Sequence, residues 1–394
     1  MKLLFLGVNQ EYFNNMHSNY RNAFVEIVDV TFYGPGFSDS KVLELGLFDF
    51  YRQTGPYDAV ICTFSLLQKS IELYSIRDIY YFHRDFMSYY EISEAIRYTP
   101  GILEDFENIK NAVKLIYYNG DMVTMPDSLS AYYSRLLEKD AYIISPGREF
   151  VSDIKENVTF AGVKANTVYK DFIERYQNKV ISLVPCAATL LEYDFTPLRN
   201  RKYDFVFPGI VSNEYPNRMN ISAILRKEHY IIYDDHSDRA KGHRTESRYP
   251  SVYSLPNRRS EDIAYWREEF HVSLKSAKCA YTDGSNVKAI VRKYFEIPAR
   301  GTILFCDDVP GIKEMGFKDG VNMVLVDENN VKDKVKELFD NEKKMEQIAA
   351  EGFNLVSKNH TAHKRAMDTV TSIERILSGK FNGTAWNEGK LMFM

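Results

Sequence analysis

Lys293-Tyr-Phe-Glu-Ile-Pro-Ala-Arg-Gly-Thr-Ile-Leu-Phe-Cys-Asp-Asp308 carries a helix, a stop and a strand in one short stretch. Its first residues place a carboxylate, Glu296, in a short helical segment. Gly301 ends that segment, because glycine accepts the left-handed conformation that closes a helix. Thr302 to Phe305 then read as a buried strand, which runs into two acids and the turn Pro310-Gly311. A helix-stop-strand unit belongs in an α/β sheet, where ligands gather at strand ends and helix N-termini.

The same alternation extends in both directions. Downstream come the turn Asp319-Gly320, a strand over Asn322 to Val326, a helix over Lys332 to Phe339 and a mixed-charge helix from Glu342 to about Val356. Upstream, strands are expected at Tyr203 to Pro208, Tyr230 to Tyr233, Val252 to Leu255 and Cys279 to Thr282. The first half offers further strands at Lys2 to Gly7, Ile27 to Tyr33, Ala59 to Thr63, Val113 to Tyr118, Ala141 to Ser145 and Val180 to Val184. Most of these are continuous apolar runs, as expected of parallel strands covered on both faces. Helices are expected between them at Tyr12 to Phe24, Val42 to Thr54, Leu129 to Lys139 and Thr167 to Arg175. The fold class is therefore α/β, with two doubly wound parallel sheets of Rossmann-like type.

A chain of 394 residues suits two domains. Pro185, Pro197 and the basic group Arg199, Arg201 and Lys202 interrupt the alternation. The reading is a first domain over 1–185, a linker over 186–203, a second domain over 204–376 and a tail over 377–394. The tail either returns to the first domain or frays. Asp234 to Arg248, dense in charge and histidine, reads as a long mobile loop.

Composition narrows the function. A net charge of −4 gives no basis for nucleic acid as a partner. Cys62, Cys186, Cys279 and Cys306 form no C-x-x-C pair and read as reduced and buried, in a cytoplasmic protein. Lys2 to Gly7 is too short for the core of a signal peptide, and no stretch has the length of a membrane span. Peripheral membrane contact and oligomeric state stay open. The histidine spacing offers no metal site. The 28 tyrosines and 25 phenylalanines serve the core first, although tyrosines at a cleft edge also stack on sugars and bases.

The quoted stretch resembles the "R/K-x-F-E-x-x-A-x-G-x-x-x-x-x-D" signature of CgeB-like glycosyltransferases, relatives of the large retaining GT-B group. Pro310-Gly311 with Glu314, Asp319-Gly320 with Asn322, and His360-Thr361 with Arg365 are similar to that family's "P-G-x-x-E", "D-G-x-N" and "H-T-x-x-x-R" elements, in order. The likeness is good from about Tyr203 to Ile376 and rests on pattern alone before Val184. It implies two Rossmann-like domains facing a cleft. It further implies transfer of a sugar from a nucleotide-diphosphate donor to a hydroxyl acceptor such as a polysaccharide, glycolipid, protein or metabolite, with retention and with neither metal nor cofactor. One departure stands out. The retaining group has a second acid eight positions before the glutamate, and that position here is Lys288.

On this basis the donor-binding candidates are Gly209, Arg218, Asp283, Asn286, Val287, Lys288, Arg292, Lys293 and Glu296. Arg218 opens a helix after the small-residue turn containing Gly209, a poor place for a purely structural cation because of the helix dipole, and is assigned to the diphosphate. The backbone N–H groups of Asn286 and Val287 could cradle phosphate, with Lys288, Arg292 and Lys293 close by. A solvated basic helix face is the plainer alternative. Glu296 is expected to accept the ribose hydroxyls, and Asp283 to take part of the role of the missing acid. On the acceptor side Asp121, after Tyr117-Tyr-Asn-Gly, is the candidate base, against the alternative of a simple turn residue. His83, in an aromatic stretch with Arg84 and Asp85, is the second catalytic candidate, against a satisfied buried histidine. Two other functions share the scaffold: a GT-B-type nucleotide-sugar epimerase, and a degenerate binding or scaffold protein.

Overall fold

A computed structural model of the chain describes residues 1–7, 16–62, 97–98, 101–102, 104–106, 108–109, 113–118, 134, 137–138, 140–151, 159–160, 163–164, 168–184, 195–209, 215–234 and 269–394. Among these, two parallel sheets form two Rossmann-like domains. The first sheet contains β1 (Lys2–Leu6), β2 (Asp29–Tyr33), β3 (Ala59–Cys62), β4 (Lys114–Tyr118), β5 (Ala141–Ser145) and β8 (Val180–Ser182) in the order β2-β1-β3-β4-β5-β8, and the small hairpin β6 (Thr159–Phe160) and β7 (Val163–Lys164) lies outside it. Every pairing in the sheet is parallel, with Phe5 level with Phe32 and Ile61, and Tyr117 level with Ile143.

The second sheet contains β9 (Tyr203–Val206), β10 (Tyr233–Asp234), β11 (Ala277–Thr282), β12 (Ile303–Cys306) and β13 (Val324–Leu325) in the order β10-β9-β11-β12-β13, again all parallel. A strand expected at Val252 to Leu255 and most of the loop from Asp234 to Arg248 lie outside the described residues.

The helices whose bounds fall within the described residues include α1 (Met16–Val25), α2 (Ser40–Leu45), α3 (Leu47–Thr54), α4 (Val168–Arg175), α5 (Pro216–Leu225), α6 (Lys293–Glu296), α7 (Val331–Phe339), α8 (Glu342–Asn359) and α9 (Ala362–Leu377). The single helix expected over Val42 to Thr54 is two. Asp39 caps α2 by accepting from the Val42 N–H at 3.0 Å, and Gly46 at φ 87° breaks the run before α3. Gly301 ends the α6 region in the left-handed conformation, as its sequence context predicts.

Three apolar clusters fill the layers. One face of the second sheet, with Phe205, Tyr281 and Phe305, packs on Ile221, Val335 and Ile348 of α5, α7 and α8. One face of the first sheet, with Leu3, Phe5, Ile61 and Ile116, packs on Phe24 of α1 and on Ala366, Val370, Ile373 and Ile376 of α9. The chain has thus returned to the first domain by Ala362. Each buried isoleucine there contributes roughly 1.5–3 kcal/mol. The third cluster joins the other faces of both sheets through Phe150, Met315, Phe317 and Trp386.

The final residues form an antiparallel hairpin, β14 (Thr384–Asn387) and β15 (Lys390–Phe393). It binds both domains. Trp386 Nε1 donates to Ser182 O at 3.0 Å, and the Trp386 N–H donates to Glu149 Oε1 at 3.1 Å. On the other side the Gly389 N–H donates to Glu314 O at 2.8 Å. Arg365 lies over the Trp386 ring at 4.2 Å and donates to Val184 O and to His360 Nδ1. Because arginine only donates, His360 accepts at Nδ1 and carries its proton on Nε2, which donates to Met315 O at 2.8 Å. Burial, then the Arg365 charge, pushes the His360 pKa well below the ordinary value, so the ring is neutral.

Cys62, Cys279 and Cys306 are buried, while Cys186 lies outside the described residues. Among the described residues no helix is long and apolar enough to cross a membrane, and no group of three His, Cys, Asp or Glu could hold a metal ion.

Candidate functional site

In an open parallel sheet, ligands bind beyond the carboxyl ends of the strands where the strand order reverses. In the second sheet that point lies between β9 and β11. The chain leaves β9 through Phe207-Pro208-Gly209, leaves β11 through Asp283-Gly284, and leaves the adjacent β12 at Asp307. Most of the donor-side candidates gather here.

Arg218 sits in the first turn of α5 with its side chain fully buried. Its Nη2 donates to Asp283 Oδ1 at 3.0 Å and to Thr282 Oγ1 at 3.0 Å, and its guanidinium lies 4.3 Å from the centre of the Tyr215 ring. The second oxygen of Asp283 accepts the Arg218 backbone N–H at 2.8 Å. Asp283 therefore caps α5 from a neighbouring strand while neutralising the cation that would oppose the helix dipole. Burial raises the Asp283 pKa, and the Arg218 charge and N–H pull it back.

Gly209, at φ 87°, is where the backbone meets the cations. A Cβ there would lie 2.9 Å from Lys293 Cε, 3.2 Å from Lys293 Nζ and 3.8 Å from Arg218 Nη1. The left-handed backbone favours glycine here, and the missing Cβ leaves room for the end of the Lys293 side chain. Two stretches far apart in sequence thus bring Gly209 and Arg218 together with Lys293, and Lys293 is half-buried and close enough to lower the Asp283 pKa.

The loop from Asp283 to Lys288 is tightly wound. Ser285 and Lys288 both have positive φ, 62° and 54°. A Cβ on Gly284 would meet Val309 Cγ1 at 2.6 Å and Ala289 O at 2.9 Å. The Val287 N–H donates to Ser285 Oγ at 3.4 Å, and Asn286 is half-buried. Lys288 pairs with Asp307 Oδ2 at 2.8 Å.

Arg292 and Glu296 pair with each other at 3.1 Å, and both side chains are almost wholly buried. Their i,i+4 spacing was visible in the sequence and is the usual geometry of a helical ion pair. Asp121 and His83 lie outside the described residues.

Asp307 is the residue that the sequence reading left without a role. It is 5% exposed and accepts four hydrogen bonds. Its Oδ1 takes the Gly284 N–H at 3.1 Å and the Tyr294 hydroxyl at 2.7 Å, and its Oδ2 takes Asn217 Nδ2 at 3.1 Å and Lys288 Nζ at 2.8 Å. The signal was its place as the first of two acids ending a buried strand. Burial and the Asp307 charge raise the Tyr294 pKa well above the ordinary value, which keeps that hydroxyl a donor.

The profile of a family described as "Glycosyl transferase-like" matches residues 233–371, which include the Asp283 loop, α6 and Asp307. No curated protein matches the chain in sequence. Solved structures resemble it along nearly the whole length. A glycosyltransferase from Rickettsia africae has a TM-score of 0.54 at 10% identity, covering 95% of this chain and 98% of its own. An α-glucosyltransferase solved with UDP-glucose and DNA containing an abasic site has a TM-score of 0.54 at 11% identity, covering 94% and 98%. HepE of Anabaena, solved with UDP and glucose, has a TM-score of 0.50 at 10% identity, covering 95% and 99%. At such identities the likeness establishes the fold, which is the two-domain GT-B architecture.

Proposed function

We propose that the protein is a glycosyltransferase of the CgeB-like kind that takes a sugar from a nucleoside-diphosphate donor to a hydroxyl acceptor. One observation carries the reading: Gly209, Lys293 and Arg218 converge at the strand-order reversal of the second sheet, where a missing Cβ brings the Lys293 ammonium close to the backbone and makes a cationic corner. The matching family profile spans the same loop and helix. In the transfer, the bond from the anomeric carbon to the diphosphate oxygen breaks as the acceptor oxygen bonds to that carbon. The leaving diphosphate carries the electron pair, and Lys293, with backbone donors of the 283–288 loop, supplies the matching charge in place of a metal. The acceptor proton passes to a base of the first domain, the role the sequence gives Asp121. Configuration at the anomeric carbon is kept.

The buried Arg218–Asp283 pair gives Arg218 a different part from the one its position suggests. It shapes the corner and holds α5, and Lys293 is the more accessible cation.

Thermal denaturation against UDP, GDP, ADP and dTDP and their sugar conjugates tests this reading. A ligand that binds only the folded state raises the midpoint by mass action. The expected result is a saturable rise with one base, sharply reduced in Lys293→Ala. Absence of any rise at millimolar concentrations would overturn the reading.

A further inference from the structure

We propose that Asp307 is a positioning residue of the nucleotide-sugar crevice, locking the 283–288 loop, the start of α5 and α6 into one arrangement so that Lys288 and Lys293 present their charge at fixed points. The inference rests on the donor-binding reading above. Asp307 cannot itself be a ligand group. A carboxylate has about four lone-pair sites, and all four are taken by Gly284, Tyr294, Asn217 and Lys288.

These donors come from three separate stretches that each contribute to the corner. Asn217 precedes Arg218 in the first turn of α5, Gly284 and Lys288 bracket the tight loop, and Tyr294 follows Lys293 in α6. Two further facts show that the loop needs such an anchor. Lys288 holds φ 54°, a conformation that side-chain-bearing residues adopt at a cost, and Ser285 does the same at 62°. The Lys288 side chain is 40% exposed while its partner's is 7% exposed, so the anchor is inside and the cation it steers reaches the surface.

Asn at 307 is nearly isosteric but presents an NH₂ where the carboxylate had its second oxygen. With its remaining oxygen toward Gly284 and Tyr294, that NH₂ faces the Asn217 amide and the Lys288 ammonium, donor against donor. The loop then loses its charged anchor while the apolar packing of β12 is unchanged.

The experiment compares wild type and Asp307→Asn by calorimetric titration. The probes are UDP, GDP, ADP and dTDP, followed by the nucleoside of whichever diphosphate binds. The expected result is a loss of about ten-fold or more in diphosphate affinity, on the scale of one charge-assisted hydrogen bond, with nucleoside affinity little changed. A uniform structural defect would lower both alike. The loss should be non-additive with Lys288→Met, because the two residues act as a unit. Should Asp307→Asn not fold, Tyr294→Phe removes one donor without changing charge, and the same selective loss is expected on a smaller scale. Equal diphosphate affinity in wild type and the folded variant overturns this proposal alone. Failure of the wild type to bind any diphosphate overturns the functional reading, and this proposal with it.

Discussion

Asp283 grips Arg218 twice, by its guanidinium at 3.0 Å and by its backbone N–H at 2.8 Å, and both side chains are shut off from water. Removing one partner leaves an uncompensated buried charge. Asp283→Ala is therefore expected to cost about 3–5 kcal/mol. Replacing the pair together, as Arg218→Met with Asp283→Leu, should recover much of that loss, since the desolvation of both charges disappears. Equilibrium urea denaturation of the two variants checks the order. A double variant less stable than Asp283→Ala would contradict it.

His360 predicts a pH dependence. Its folded-state pKa is pushed well below the ordinary value of 6.5 by burial and by Arg365. Below about pH 6.5 the unfolded chain therefore binds a proton that the folded chain refuses. The contribution is complete above that pH, and stability falls as pH drops, by up to about 1.4 kcal/mol per unit from this residue. In His360→Gln, which keeps a donor for Met315 O, that component should vanish. Denaturation of both proteins between pH 7.5 and pH 5.5 reads the difference directly, and parallel profiles would refute it.

Gly311 allows the two domains to touch. At φ 83°, a Cβ there would lie 2.1 Å from Phe150 Cδ1. Gly311→Ala is expected to lose roughly 2–4 kcal/mol, from the left-handed backbone and from overpacking. In a Phe150→Ala background the overpacking share should disappear and the backbone share should stay, so the two changes will not add. Thermal midpoints of the four proteins test this.

Trp386 fastens the C-terminal hairpin. Trp386→Phe keeps an aromatic ring but removes the N–H donated to Ser182 O and weakens the contact with Arg365. About 1–2 kcal/mol of stability should go. Hydrogen exchange at the hairpin amides should quicken more than exchange in β11 or β12. Uniform quickening in both places would mean that Trp386 serves global stability and not local attachment.

The strands and the helix-stop-strand unit were legible because continuous apolar runs bounded by Gly and Pro admit few alternatives. Ala141 to Ser145 was bounded correctly from the sequence, and Gly301 stops its helix as expected. The split at Gly46 was missed because helical periodicity persists across it, and only the φ of 87° reveals the break. The attachment of α9 to the first sheet carried no local signal either. An apolar stripe of Ala366, Val370, Ile373 and Ile376 would cover any sheet, and which one is decided by tertiary contacts. At the site, sequence located the cations and acids but not their partners. The pairing that buries Arg218 carries no local signal, because Asp283 is 65 positions away.

Helix α9 and the closing hairpin complete the core of the domain that is synthesised first. Domains ordinarily fold in the order in which they leave the ribosome. Here one face of the first sheet takes part of its cover from α1 and part from α9, which follows the whole second sheet in the chain. The second sheet, whose helices α5, α7 and α8 are all encoded before residue 360, can close while translation is still under way. During that interval Leu3, Phe5, Ile61 and Ile116 lack the cover of Ala366, Val370, Ile373 and Ile376, and a chain cut short before Ala362 would lack it permanently.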